Sequence, residues 1–322
     1  MRRGPAAWDR GGVNVSEDLG VPLVIANPSA GRADGSTLQR LLSALRAHGL
    51  QPDVSMTAAC GHATTLARDA VEEGRRYLIA VGGDGTVHEV VNGMVDAASG
   101  QRRGDDPVLG VVGGGSGCDL VRTFGLDRPP EVLARHLTST ETIRIDLGRV
   151  RCTGADGTPT VRLFANVAEA GYGGAVARLA NRLPRRLGSA RYAAAIVGAV
   201  PEFRRVDTTV EVDGGTTREP VCNVVVANGQ FYGGGLKVAP RALPTDGKLN
   251  VQSWGGRPID VIRAQPQLRT GAHLARADVR EWSSTSVSVS GARPVAIEAD
   301  GEYVGVTPAH FDVLHRVLRF KL

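Results

Sequence analysis

Asp84 stands in a loop whose other residues suit a phosphate. The loop reads Gly82-Gly83-Asp84-Gly85-Thr86. Its glycines let the backbone come close to an anion, and Thr86 is placed to cap a helix whose N-terminus favours negative charge. It is neither the dinucleotide-binding Gly-x-Gly-x-x-Gly pattern nor a Walker A loop, which needs a Gly-Lys-Ser/Thr ending. A carboxylate repels phosphate. Asp84 therefore calls for a bridging Mg²⁺ or a proton to abstract, unless it only stabilises a turn. Two further glycine-rich loops accompany it, Asn27-Pro28-Ser29-Ala30-Gly31 and Gly113-Gly114-Gly115-Ser116-Gly117. Each of the three follows an apolar run, at 21–26, 77–81 and 108–112. Ligands of an open parallel sheet bind outside the carboxyl ends of the strands. The three loops should converge on one crevice, and their N–H groups suit a polyphosphate.

The elements that must position these loops follow from periodicity. The apolar runs read as buried strands, with a short further strand over Asp53–Met56. Leu38, Leu41, Leu42 and Leu45 recur at helical spacing, and Gly49 stops that helix. Further helices are predicted over 63–73, 86–98, 119–124 and 129–137, the last with Pro near its start. Strand alternating with helix argues a parallel α/β domain over 21–142. After about Glu141 the runs become short, β-rich and turn-bounded, at 160–166, 208–212, 221–228, 248–253 and 285–290. Asp213-Gly214, Asp246-Gly247 and Asp300-Gly301 are turn signals beside them. An antiparallel β domain is expected over 143–304, crossed by one helix over 175–200.

Composition bounds the class. The 322 residues suffice for two domains, with 42% hydrophobic and 22% charged residues. Glycine, at 42 residues, fits many tight loops. The net charge of +5 suits a solvated basic surface or attraction to an anionic membrane or phosphorylated substrate. Nucleic acid is disfavoured, because 4% aromatics leave no stacking platform and no DNA-binding motif occurs. Cys60, Cys118, Cys152 and Cys222 form neither a CxxC pair nor a zinc spacing, which fits reduced thiols in the cytoplasm. Residues 1–20 lack an apolar core for a secretory signal and read as a disordered leader.

The paired motifs carry a resemblance. Asn27-Pro28-Ser29-Ala30-Gly31 and Gly82-Gly83-Asp84-Gly85-Thr86-Val87-His88-Glu89-Val90-Val91-Asn92-Gly93 resemble the signatures of the diacylglycerol kinase and sphingosine kinase superfamily. Asn228-Gly229, Gly233-Gly234-Gly235, Pro240 with Ala242, Asp246-Gly247 and Asp300-Gly301-Glu302 are similar to its bacterial lipid kinases. The resemblance runs from about Val21 to the C-terminus, and the second signature is highly specific. It implies an α/β nucleotide-binding domain of the NAD kinase-like type plus a β-sandwich, with the segment 305–322 returning to complete the first domain. It implies ATP-dependent phosphorylation of a lipid hydroxyl, diacylglycerol or a sphingoid-type acceptor, with Mg²⁺.

By motif position the resemblance places Asn27, Ser29, Gly31, Arg32, Thr57, the loop Gly82, Gly83, Asp84, Gly85, Thr86, Val87 and His88, and Ser116 around ATP. Glu302 falls where the bacterial members have their general base. The sphingosine kinases give that role to the residue matching Asp84, so both are candidates, with Glu302 favoured and Asp84 organising Mg²⁺. The stretch 243–248 resembles a structural Mg²⁺ loop, with the Asp246 side chain and the carbonyls of Leu243 and Lys248 as ligands. A metal-free hairpin turn is the alternative. Asp119 is a further candidate metal ligand. The family pattern at the third loop is Pro-x-Gly-Thr-x-Asn-Asp, and this chain departs from it. Ser116 keeps the hydroxyl and Asp119 the carboxylate, but Cys118 replaces the amide and Gly113 should loosen the turn. Cys118 is either a thiol activated near a helix start or a plain buried one.

Arg182, Arg185, Arg186 and Arg191 flank the apolar stretch 192–200, either as a solvated face or as a peripheral docking edge for the inner membrane face. The sequence leaves oligomeric state open, a homodimer included. Three rivals to a lipid kinase remain at this stage. One is an NAD kinase-like nucleotide kinase, which shares the Gly-Gly-Asp-Gly loop. The others are a kinase of a non-lipid hydroxylated small molecule and a non-catalytic nucleotide-binding protein.

Overall fold

The computed structural model describes residues 19–30, 35–114, 118–184, 190–201 and 203–322. Nearly all of the 1–20 leader, and Gly31, Arg32, Ser116, Arg185 and Arg186, lie outside these. In chain order, β1 (Leu23–Ala26), α1 (Gly35–Ala47), β2 (Asp53–Met56), α2 (His62–Glu72), β3 (Tyr77–Gly82), α3 (Asp84–Met94) and β4 (Val108–Gly113) alternate as the periodicity predicts. The strands pair in parallel as β2-β1-β3-β4. β3 is buried throughout, as an apolar run covered on both faces must be. The helices cover it with Leu41, Leu45, Ala67 and Val91.

α4 (Asp119–Thr123) and α5 (Pro130–Thr138) follow. β5 (Thr142–Thr153), β6 (Pro159–Phe164) and β7 (Val167–Gly171) open the β-rich half. Next come α6 (Tyr172–Arg182) and α7 (Ala190–Ala199), then β8 (Val206–Val212), β9 (Gly215–Val221), β10 (Asn223–Ala227) and β11 (Leu249–Trp254). α8 (Pro258–Arg263) and α9 (Gln265–Thr270) precede β12 (Val279–Ser284), β13 (Ser286–Gly291), β14 (Ala296–Ala299) and β15 (Glu302–Lys321). One layer is ordered β12-β11-β10-β7-β14, and β13, β8 and β9 with β5 and β6 form the opposing strands. Val224, Val251, Ile297, Val210, Val287 and Phe311 fill the space between them. β15 serves both halves. It pairs with β14, β13 and β5, and at its end Arg319 and Phe320 lie parallel to Val108 and Leu109 of β4.

Two helices depart from expectation. The predicted helix over 175–200 is two helices. Leu183 turns extended at φ −78°, ψ 147° because Pro184 follows it. The helix predicted over 86–98 starts at Asp84, with Gly83 as an extended N-cap, and stops where Val95 pairs with Arg102.

Candidate active site

Asp84 and Glu302 line one cleft of about 830 Å³. Also lining it are Asn27, Ser29, Thr57, Gly83, Gly85 and Thr86 from the first half, with Asp119. Glu169, Tyr172, Asn223, Tyr232 and Glu298 come from the second half. Gly85 is where the halves approach: a Cβ there would lie 3.6 Å from Glu302 Oε1.

The first half builds its side of the cleft with small residues and borrowed hydroxyls. Thr86 does not cap the helix. It is the third helical residue, and its Oγ1 receives a hydrogen bond from Asn27 Nδ2 at 3.2 Å. Gly82 is required for this, since a Cβ there would meet Thr86 Oγ1 at 2.4 Å. Asn27 Oδ1 accepts the Ser29 N–H, which folds the first loop. Thr57 N donates to the Ala26 carbonyl, continuing the β1–β2 pairing past the strand ends. The side chains of Val87 and His88 do not line the cleft. Val87 packs into the core, and His88 Nδ1 lies 3.2 Å from Asp300 Oδ2.

α3 is the part that carries the second half to the first. Beyond His88, Glu89 accepts the N–H groups of Gly61 and Ala63 at the start of α2. Asn92 donates to and accepts from the backbone of Leu163 on β6. Gly93 lets α2 come close, because a Cβ there would sit 2.5 Å from the Thr64 carbonyl. The signature after the glycine loop is thus a docking face.

Asp300 is the receiving partner. Its carboxylate accepts the N–H groups of Ala165, Asn166 and Val167 at 2.8–3.1 Å, as well as facing His88. Asp300 and Gly301 have φ of 49° and 88°, the two left-handed positions of a type I′ hairpin between β14 and β15. The next residue is Glu302. The base candidate therefore projects from a turn anchored by a buried carboxylate. Sequence reasoning gave Asp300 only a turn role, and the signal for more was its partner His88 in the signature.

Asp84 is held by the N–H groups of Asp119 and Leu120, at 2.7 and 3.4 Å to Oδ1. Burial pushes its carboxyl up to about 6, and the negative charges of Asp119 and Asp300 add to this. Asp119 itself accepts Arg122 Nη1 on one oxygen and the Gly234 N–H on the other. That engagement ties Asp119 to the cleft wall through one donor on each oxygen. Cys118 is a buried thiol bonded to the Gly82 carbonyl. The loop at 115–117 lies outside the described residues. Gly113 admits Cys118, whose Sγ would lie 2.9 Å from a Cβ at that position.

Among the described residues no group of three or more His, Cys, Asp or Glu is arranged around a metal. Mg²⁺ in a phosphoryl-transfer site needs only one or two carboxylates, with substrate oxygens completing its shell. Asp84 fits that mode, since a cation would relieve the charge that burial and its acidic neighbours oppose. In the loop 243–248, the exposed Asp246 carboxylate accepts the Lys248 N–H at 2.9 Å, and the Leu243 carbonyl accepts from Thr245. The turn is closed by its own bonds. Its Gly247 N–H reaches Asp146 Oδ2, a fully buried carboxylate that also receives the Arg316 N–H and faces His315.

Comparison with known proteins agrees with the two-part fold. A family model described as diacylglycerol kinase catalytic domain matches residues 22–150. Another, described as YegS C-terminal NAD kinase beta sandwich-like domain, matches residues 166–321. The diacylglycerol kinase of Bacillus subtilis (strain 168) is 26% identical over 300 residues, covering 91% of this chain and 93% of its own. The "Probable lipid kinase YegS" of Escherichia coli O9:H4 (strain HS) is 24% identical over 296 residues, covering 90% and 92%. A solved structure of a diacylglycerol kinase from Bacillus anthracis str. Sterne shares the fold, with a TM-score of 0.68 at 19% identity over 94% of this chain and 96% of that one.

Proposed function

The chain belongs to the bacterial lipid kinase branch of the diacylglycerol kinase family, and on that premise we propose how its own residues move the γ-phosphoryl group of ATP to a lipid hydroxyl. It is an ATP-dependent lipid kinase. The observation that carries the residue assignment is the meeting of Gly85 and Glu302 across the cleft.

The glycine loop and the start of α3 receive the phosphates. Asn27, Ser29, Thr57 and Thr86, with Gly31, Arg32 and Ser116 by motif position, surround the nucleotide. Mg²⁺ bound at Asp84 would supply charge neutralisation to the phosphate oxygens. Glu302 accepts the proton of the acceptor hydroxyl as its oxygen bonds to the γ-phosphorus and the bond to the ADP oxygen breaks. Asp119, through Gly234 and Arg122, keeps the wall beside Asp84 in place. The Asp246 side chain with the Leu243 and Lys248 carbonyls would hold a second Mg²⁺, whose contribution there would be to stability.

The acceptor enters along the apolar part of the cleft, lined by Val176, Ile196, Leu236 and Val261. α7 stands at its side with an exposed face of Ala190, Ala193, Ala194 and Val197, the last 68% exposed. Arg182 is exposed and Arg191 lines the cleft. An apolar helix face flanked by arginines suits peripheral contact with an anionic bilayer at the cytoplasmic face. Among the described residues no helix is long and apolar enough to cross a membrane.

The test is transfer of labelled phosphate from ATP to a panel of diacylglycerol, sphingoid base and polyprenol. The parent should label at least one lipid, and Asp84→Asn and Glu302→Gln should lose that labelling. Labelling of no lipid by a folded, ATP-binding parent would overturn the reading.

A further inference from the structure

Two carboxyls behind the catalytic turn have no part in the chemistry above. Glu169 on β7 and Glu298 on β14 are direct partners across an antiparallel pair, with Ile297 opposite Ala170 and Ala299 opposite Ala168 on either side. Directly opposed side chains share one face, with Cβ atoms about 4.5–5.5 Å apart. The two are 5% and 4% exposed and line the cleft.

Each is held on one side by a specific donor. Glu169 Oε1 accepts Asn223 Nδ2 at 2.7 Å, and Asn223 Oδ1 in turn accepts the Gly173 N–H. Glu169 Oε2 lies against Gly173, where a Cβ would come within 1.9 Å. Glu298 Oε2 accepts the Gly301 N–H at 2.6 Å. Gly301 is the second residue of the turn that presents Glu302. The bulge in the β14–β15 register falls between Ile297 and Glu298, so Glu298 sits where the strand is re-aimed just before the turn.

We propose that Glu169 and Glu298 share one proton and act together as positioning residues for Glu302, Glu298 by receiving the Gly301 N–H and Glu169 by holding Glu298 against it. This rests on the reading of Glu302 as the base. The titratable groups facing the pair are Asp300 and Glu302 from the turn, Tyr172 from α6, Tyr192 from α7, Cys222 beside β10, and Tyr232. Arg191 acts on the pair's neighbour Tyr192. Burial pushes the Glu169 carboxyl up to about 7 and holds Glu298 well above the usual carboxylate range, with the charge of Glu169 next in effect on Glu298. Two like charges side by side in a dry setting do not both persist, so the pair keeps a proton at neutral pH. The pair then places one negative charge behind the turn in place of two, and a protonated Glu298 still offers its Oε2 to the Gly301 N–H.

Three measurements on the full chain test this. Glu298→Gln keeps an oxygen for the Gly301 N–H and imitates the neutral form, so kcat should stay within a few-fold of the parent. Glu298→Leu removes the acceptor, and kcat should fall by about a hundredfold with the KM for ATP little changed, the scale of a misplaced catalytic group. Equal kcat for Glu298→Leu and the parent, or a Gln variant as poor as the Leu variant, would overturn the proposal. The infrared band of the protonated carboxyl reads the shared proton without catalysis and without the Leu variant. Its midpoint should fall in both Glu169→Gln and Glu298→Gln, because the like charge is gone. An unmoved midpoint in either would overturn the shared proton. In a Glu302→Gln background, Glu298→Leu should cost little more, since both act through one group. A full further loss there would overturn the positioning role. Retained turnover in Glu302→Gln alone would instead overturn the base reading, with the infrared midpoints still deciding the pair.

Discussion

The chain makes the same Asp-Gly turn at two places and uses them differently. Asp213-Gly214 joins β8 to β9 with φ of 50° and 75°, and Asp300-Gly301 joins β14 to β15 with φ of 49° and 88°. Both are two-residue type I′ hairpins, for which Asp-Gly is a preferred pair. Asp213 is exposed, and its carboxylate accepts one hydroxyl, Ser284 Oγ at 2.6 Å. The side chain of Asp300 is 4% exposed and receives three backbone N–H groups and His88. The turn chemistry fixes a hairpin in both cases. What makes the second a site is its surroundings: the amides of 165–167 and a helix from the nucleotide half dock on the turn carboxylate and so place Glu302 over Gly85. Asp246-Gly247 marks the limit of the signal. Only its glycine is left-handed, at φ 73°, and no hairpin forms there.

The comparison breaks most visibly by removing the two carboxylates. Asp300→Ala should destabilise by about 3–5 kcal/mol in urea unfolding, because it strands several buried donors at once. It should also abolish turnover by releasing Glu302. A cost for Asp300→Ala no larger than that of Asp213→Ala would remove the distinction between the turns.

The next effect sharpens the contrast within the cleft. The Asp84 carboxyl is raised from 3.8 to about 6 in the folded chain. A raised carboxyl contributes stability that is full below the unfolded value and is lost as pH rises through the folded one. In the metal-free protein at neutral pH, Asp84→Asn should therefore gain on the order of 2 kcal/mol, with the gain gone below about pH 4. Turnover should drop by about a hundredfold or more in the same variant. A variant less stable than the parent at neutral pH would contradict the account of this carboxyl.

Asp246→Ala probes the turn that is not a hairpin. If Mg²⁺ binds only the folded loop, the parent Tm should rise with Mg²⁺ by a few degrees and the variant Tm should not. An equal response in both would make the loop a turn held by its own bonds. Asp213→Ala should show the smallest change, about 1 kcal/mol or less and full kinase activity, as for one exposed hydrogen bond. Lost activity there would mean that the outer hairpin reaches the site.

The sequence was most legible where the signal is local. Leu38, Leu41, Leu42 and Leu45 mark one helix, and the run at 77–81 is buried on both faces because it is apolar throughout. Asp-Gly pairs gave two of the hairpins. Legibility failed where one element answers to several partners. β15 is 20 residues long and changes neighbours along its length, so no single alternation runs through it. The helix expected over 175–200 breaks at Pro184, which holds Leu183 in extended backbone. In the site, the glycine loops and Asp300-Gly301-Glu302 were readable as motifs. The contact of His88 with Asp300, 212 residues apart, and the register that sets Glu298 against Glu169 were not, since nothing local encodes them.

The central claim is that a turn of the β-rich half delivers the base to the nucleotide loop. The direct test is single-turnover phosphoryl transfer by Glu302→Gln beside its ATP affinity. The substitution keeps the volume and removes the basicity. The account predicts transfer slowed by about a hundredfold or more with ATP binding near that of the parent, because a base acts in the transition state. Transfer at close to the parent rate, with Asp84→Asn inactive, would contradict it and pass the base role to Asp84.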